Sequence, residues 1–174
     1  IKMPKPRPTK NSKVHYLTED MELDLLVYLE KNEQYKARDI IKCLIDLGCR
    51  VNELLNLEKR FIDFDNNQIN FIDRKNDQAV AVPMTQKVSW LLKPFYDSCK
   101  DTDKLFDINY SELNAIWQKA RKDLGYADKK FYTIHLCRHT CASRLVQRGV
   151  PILLVKDWLG HEDIENTMIY AHLA

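Results

Sequence analysis

The sequence predicts a mainly α-helical fold that carries one small three-stranded antiparallel sheet, an α+β class. Two observations lead there. Most of the 174 residues fall into stretches whose apolar positions recur every three or four residues, the period of an amphipathic helix. One interval, 60–82, switches to alternation of apolar and polar residues and is cut by short polar turns.

The helices are punctuated by their ends. Residues 17–32 open with Thr18 as an N-cap and acids in the first turn, then present Leu25, Leu26 and Leu29 as a stripe. Residues 37–48 form a second amphipathic helix stopped by Gly48, and 49–57 begin a third directly afterwards. The segments "RFIDFD", "QINFID" and "QAVAV" read as a meander joined by "NN" and "RKND" and ended by Pro83. Residues 85–99 and 110–125 return to helix, the first expected to bend or break near Pro94. Residues 133–149 end at Gly149, 151–160 start with Pro and stop at Gly, and 162–174 close the chain in the same helical series.

Composition narrows the function classes. Hydrophobic residues at 45% with only four glycines suit a folded domain with a real core. The first residue is Ile, so the sequence is expected to belong to a longer protein. No 18-residue apolar run and no signal-peptide pattern occurs, so no membrane partner and a soluble intracellular setting are expected. Five cysteines without Cys-x-x-Cys spacing read as reduced thiols. The net charge of +2 is unevenly spread: residues 1–13 carry five basic side chains and no acid, and residues 117–148 carry eight basic against two acidic. A local patch and an arm, rather than a uniformly basic surface, would attract an anion. A solvated linker is the plainer reading of that arm.

"HLCRHT", residues 135–140, concentrates the chemistry. On a helix turning about 100° per residue, Ile134, Cys137, Cys141 and Leu145 form one stripe, and His135, Arg138 and His139 fall on an adjoining arc of roughly 100°. These three side chains border the core, where a pocket wall would lie. Two readings stay open from the residues alone: a snorkelling arginine between histidines bonded to carbonyls, or an anion site. The spacing of His135 and His139 also suits zinc. However, Leu136 stands where zinc-protease helices place a catalytic Glu, and Arg138 would repel a dication, so no metal is expected. Phosphate fits better, because a guanidinium fork donates two parallel hydrogen bonds to it. A second arginine, Arg50, follows the glycine break at the start of a helix, with Glu53 three residues on to orient it. Alone, that pair is an ordinary surface ion pair.

"GCRVNELLNL", "HLCRHT" and "LGHEDIENTMIYAHL", in this order and spacing, resemble the tyrosine recombinase (phage-type integrase) family from Leu17 onward. The resemblance implies the family's catalytic-core fold, with a catalytic domain over 17–174 and a basic interdomain linker over 1–16. It implies DNA cleavage and rejoining by Tyr170 through a 3′-phosphotyrosyl intermediate, without metal or other cofactor. Arg50 and Arg138 would clamp the phosphate, His135 would accept a proton or bond the phosphate, and His161 would donate a further hydrogen bond. His139 would support the box from behind. Lys75, in the sheet's hairpin, would protonate the leaving 5′-oxygen, with Arg74 and Lys59 as neighbours in competition for that role. Lys2, Lys5, Arg7, Lys10 and Lys13 would run over the DNA backbone.

The implied partners are double-stranded DNA, further protomers in a tetrameric synapse and accessory DNA-bending or directionality proteins. The setting would be a prokaryotic or phage-infected cytoplasm, at the nucleoid. Relaxation of supercoils in the manner of a type IB topoisomerase, and a catalytically silent DNA-binding module of the same fold, are the competing readings. Two departures stand out. Cys137 replaces the usual larger apolar residue, and the sequence ends four residues after Tyr170, where family members normally continue with a docking strand or helix.

Overall fold

Thr18 sets the first element: its side chain accepts a hydrogen bond from the Met21 amide at 3.2 Å, and Glu19, Asp20 and Glu22 line the positive end of α1 (Glu19–Lys31). The computed structural model describes residues 14–73, 78–101, 103–161 and 163–174. α2 (Tyr35–Leu47) is apolar on most of its face and ends at Gly48, whose φ of +68° is left-handed. A side chain could not replace that hydrogen, since a Cβ would lie 2.7 Å from Cys141 Sγ. α3 (Val51–Leu55) starts three residues further on, with Glu53 Oε1 accepting from the Arg50 amide at 2.7 Å.

The sheet follows as β1 (Ile62–Asp63), β2 (Gln68–Asp73) and β3 (Gln78–Pro83), antiparallel in that order, with Ile62 opposite Ile69 and Ile69 opposite Val82. Ile69 and Phe71 turn into the core. Four further α-helices and a last short one complete the chain: α4 (Gln86–Ser98), α5 (Tyr110–Asp123), α6 (Leu136–Gln147), α7 (Ile152–Leu159) and α8 (Glu165–Met168). The expected class, mainly helical with a three-stranded antiparallel sheet, is what forms.

Four details differ from the sequence reading. The first strand shrinks to two residues because Lys59–Phe61 winds into a 3-10 turn. The preceding backbone pairs elsewhere: Leu57 O accepts from Leu105 N at 2.8 Å, and Lys59 N donates to Asp103 O. Asp63 then accepts from both the amide and the side chain of Asn66, which turns the chain at once. Secondly, α4 runs through Pro94 unbroken. Proline removes only the bond to the Trp90 carbonyl, and Trp90 lies on the solvent side at 74% exposure, where water can replace it. Thirdly, α6 begins at Leu136, with the tighter turn 133–135 before it. Finally, the closing helix divides into α8 and a 3-10 turn, Ala171–Leu173. Thr167 and Tyr170, three residues apart, are both buried, and the i to i+3 winding places them on one face.

Two apolar clusters result, and α6 belongs to both. Leu136 and Cys137 join the large core with α1, α2, α4, α5 and the sheet. Ala142 and Val146 join Val155, Leu159 and Tyr170 in a smaller one, against which Val14 and Leu173 pack. Arg144 pairs with Glu22 and Thr140 Oγ1 accepts from Leu17 N at 2.8 Å, tying α6 to the entry of α1.

The glycine at the end of α2 carries a direct prediction. Gly48→Ala should lower stability by about 2–4 kcal/mol, from left-handed strain plus overpacking. Gly160→Ala, where φ is +71° but no atom lies within 4 Å of the added Cβ, should cost only the strain, about 1–2 kcal/mol. Urea denaturation of the two variants measures the difference, and equal losses would contradict the packing argument.

Candidate active site

Arg138 is the anchor of the site. It projects from α6 between the ends of two other helices and is only 5% exposed. Nη1 donates to the carbonyl of Gly48 and Nη2 to that of Leu159, both at 2.7 Å. These carbonyls lie at the C-termini of α2 and α7, the negative ends of the two helix dipoles, which suit a cation. Among the described residues the other guanidinium N–H groups have no partner, since arginine has five donors and two are used.

A cleft of about 950 Å³ opens beside it. Arg50, His135, Arg138 and His161 all line it, with Trp158 and Asn70 among its other walls. Three separate segments supply these residues: the α2–α3 turn, the start of α6, which gives both His135 and Arg138, and the turn after α7. Glu53 acts on Arg50 through the main chain, by capping α3, and it also lines the cleft. His161 is fixed twice, its amide donating to Lys156 O at 3.1 Å and its ring Nδ1 lying 2.8 Å from Thr167 Oγ1.

Tyr170 sits next to this cleft but outside its lining. It is 2% exposed, packed in the smaller cluster, and its hydroxyl bonds His139 Nδ1. Burial raises the phenol to about 12, with Arg138 opposing. Burial, then His135 and Arg138, lower His139 to about 4. The proton therefore stays on the phenol, and Tyr170 O–H is the donor. His161 is likewise drawn down to about 4, by desolvation, Arg138 and Arg50. His135 moves down for the same three reasons. At neutral pH the three imidazoles are uncharged, so they do not repel the guanidinium of Arg138 beside them.

Lys59, a neighbour of the hairpin lysine in the sequence reading, is committed elsewhere. Its Nζ donates to Cys99 O at 2.9 Å, lies 3.6 Å from Asp101 and sits over the Tyr96 ring. Lys75 and Arg74 lie outside the described residues, as do Lys2, Lys5, Arg7, Lys10 and Lys13. Among the described residues, no group of three or more His, Cys, Asp or Glu is placed to hold a metal ion, and no helix is long and apolar enough to cross a membrane. The sequence reading passed over Thr167 and Trp158. Trp158 Nε1 donates to Leu47 O at 2.8 Å, and nothing in the local pattern of "NTMIY" or "KDWLG" marks either as an anchor.

A model described as the phage integrase family matches residues 15–174. Tyrosine recombinase XerA of Saccharolobus solfataricus is 34% identical over 152 residues, which cover 87% of this chain and 51% of that protein. The crystal structure of a XerA recombinase superposes with a TM-score of 0.74 at 27% identity, covering 99% of this chain and 62% of that one. The catalytic domain of bacteriophage HP1 integrase gives a TM-score of 0.70, also at 27% identity, over 93% of this chain and 89% of that one. The chain spans about half the length of the curated relatives it matches.

The uncharged histidines predict a pH dependence of folding. His139 and His161 titrate near 4 in the folded chain against an ordinary value of 6.5. Between these values the unfolded chain binds more protons, so stability is intact above about pH 6.5 and is lost as pH falls towards 4. Urea midpoints should fall between pH 7 and pH 5, and His139→Gln should flatten the slope. A midpoint that does not move over this range would show that the rings are not held neutral.

Proposed function

This chain belongs to the phage integrase family, and from that premise we propose that it is the catalytic domain of a site-specific DNA recombinase that cuts and rejoins strands through Tyr170. The observation that carries the reading is the cleft: two guanidinium groups and two neutral imidazoles converge on it from three segments, with a tyrosine packed alongside. A phosphodiester is the anion that such a set recognises. Arg50 and Arg138 clamp its non-bridging oxygens and offset the charge that builds on pentavalent phosphorus. His161 donates a further hydrogen bond, and His135, uncharged and at the cleft, accepts the phenolic proton or bonds the phosphate.

The step balances without a cofactor. The Tyr170 oxygen forms a bond to phosphorus, the bond from phosphorus to the 5′-oxygen breaks, and the phenolic proton passes to the base. Lys75 gives a proton to the leaving 5′-oxygen. Reversal of the same step by a second 5′-hydroxyl rejoins the strands, and the phosphotyrosyl bond keeps the energy for it. The partner is double-stranded DNA, with other protomers assembling as a tetramer and accessory DNA-bending proteins assisting. The basic stretch over residues 1–16, with Lys2, Lys5, Arg7, Lys10 and Lys13, follows the DNA backbone and makes binding strongly salt-dependent. The chain acts in the cytoplasm, on the nucleoid or on mobile-element DNA.

A nicked duplex whose cut product diffuses away should leave this chain covalently attached to DNA in detergent, with or without chelator. Tyr170→Phe should bind the duplex and form no adduct. Adduct formation by that variant would move the nucleophile to another tyrosine, and loss of the wild-type adduct on chelation would refute the metal-free step. Separately, Lys75→Ala should be slowed by about 10²–10⁴-fold on ordinary DNA. It should be largely restored on a 5′-bridging phosphorothiolate, whose sulfur leaves without a proton. Absence of that rescue would remove Lys75 from the general-acid role.

A further inference from the structure

We infer that Thr167 is a positioning residue for His161, fixing the ring in the tautomer that carries its proton on Nε2 and aiming that N–H into the cleft. The role of the N–H in strand cleavage rests on the function proposed above, whereas the tautomer does not.

The geometry is specific. Thr167 is 0% exposed on α8, and its Oγ1 lies 2.8 Å from His161 Nδ1. That contact has two possible polarities. If Nδ1 carried the proton and donated, the hydroxyl hydrogen would need an acceptor of its own in a buried site. Among the described residues the ring is the only partner of Oγ1. An unpaired buried hydroxyl hydrogen is unfavourable, so the hydroxyl donates and Nδ1 accepts. The ring proton then sits on Nε2. An uncharged imidazole has a single N–H, and the tautomer decides whether it meets an anion in the cleft with a donor or with a lone pair.

The same residue reaches the tyrosine. Thr167 O accepts from the Tyr170 amide at 3.0 Å. Its hydroxyl thus holds His161 while its carbonyl holds the turn leading to Tyr170, so one residue sets the register between the two. His161 is the first residue beyond the glycine cap of α7, and without the threonine contact only its main chain would be tied.

The test compares wild type, Thr167→Val, which keeps the shape and removes the donor, and Thr167→Ser, which keeps the donor. Long-range ¹⁵N–¹H correlation at pH 7.5 reads the His161 tautomer, and the nicked-duplex assay reads the rate of adduct formation. Wild type and Thr167→Ser should show the Nε2–H form. Thr167→Val should show a mixture and form adduct about ten-fold more slowly, the size of one neutral hydrogen bond. The inference is overturned by an Nδ1–H ring in the wild type, by a Val variant with unchanged tautomer whatever its rate, or by a Ser variant that fails to restore the tautomer. If the wild type forms no adduct, the proposed cleavage fails while the tautomer still decides the role of Thr167.

Discussion

The guanidinium of Arg138 bridging the ends of two helices is the constraint on which the site depends. A charge only 5% exposed is tolerable because two helix C-termini face it with their last carbonyls, at 2.7 Å each. The consequence is positional. Gly48 supplies one carbonyl and Arg50 lies two residues further on; Leu159 supplies the other and His161 lies two residues further on. Both segments turn through a left-handed glycine at the helix C-cap, Gly48 carrying the bonded carbonyl itself and Gly160 following it. One side chain therefore registers the two turns that deliver Arg50 and His161, while keeping donors for a ligand. Lysine could not do this, since a single ammonium lacks the planar fork that reaches two carbonyls and still faces the cleft.

The end of α2 shows how thoroughly this junction is built. Cys141 Sγ, Trp158 Nε1 and Arg138 Nη1 meet the carbonyls of Asp46, Leu47 and Gly48 in turn. Carbonyls that a helix leaves unpaired at its C-terminus are met by side chains from α6 and α7 rather than by water. The two apolar clusters join here, through a helix that contributes to each. Burial then controls charge: it lowers His139 and His161 and raises Tyr170, so that all three are uncharged at neutral pH beside Arg138.

Much of this was visible in the sequence, for identifiable reasons. The 3.6-residue period placed His135, Arg138 and His139 on an arc bordering the core, and the glycine before Arg50 marked a helix end. Both are local signals, and the structure brings Arg50, His135, Arg138 and His161 to one cleft. What the sequence concealed depends on tertiary partners. Nothing local says that Arg138 will find Gly48 O ninety residues away, or that Leu57 will pair with Leu105 and shorten the first strand. Pro94 misled because its effect depends on whether the carbonyl it deprives faces water. The closing helix misled because two buried anchors three residues apart override the helical propensity of a short amphipathic tail.

The burial of Tyr170 bears on how the proposed chemistry begins. With burial raising the phenol to about 12 and lowering the imidazole bonded to it to about 4, His139 is a weak base for the phenolic proton, and the hydroxyl faces that ring rather than the cleft. For the proposed cleavage the tyrosine would leave its bond to His139 and turn towards the cleft. The segment carrying it is suited to that step. α8 has four residues and is followed by a single 3-10 turn, so no long hydrogen-bonded ladder resists displacement. The Tyr170 side chain is held by one hydrogen bond and the packing of one ring, and its main chain by single-turn bonds to Thr167 and Leu173, while Thr167 keeps its own tie to His161. A phosphate drawn between Arg50 and Arg138 would bring negative charge beside His135 and His161 and raise their proton affinity. In the proposed mechanism anion binding would thereby make His135 a better base at the place the phenol must reach, while His161 would stay a donor, so that the tyrosine would be activated only where its target is already bound.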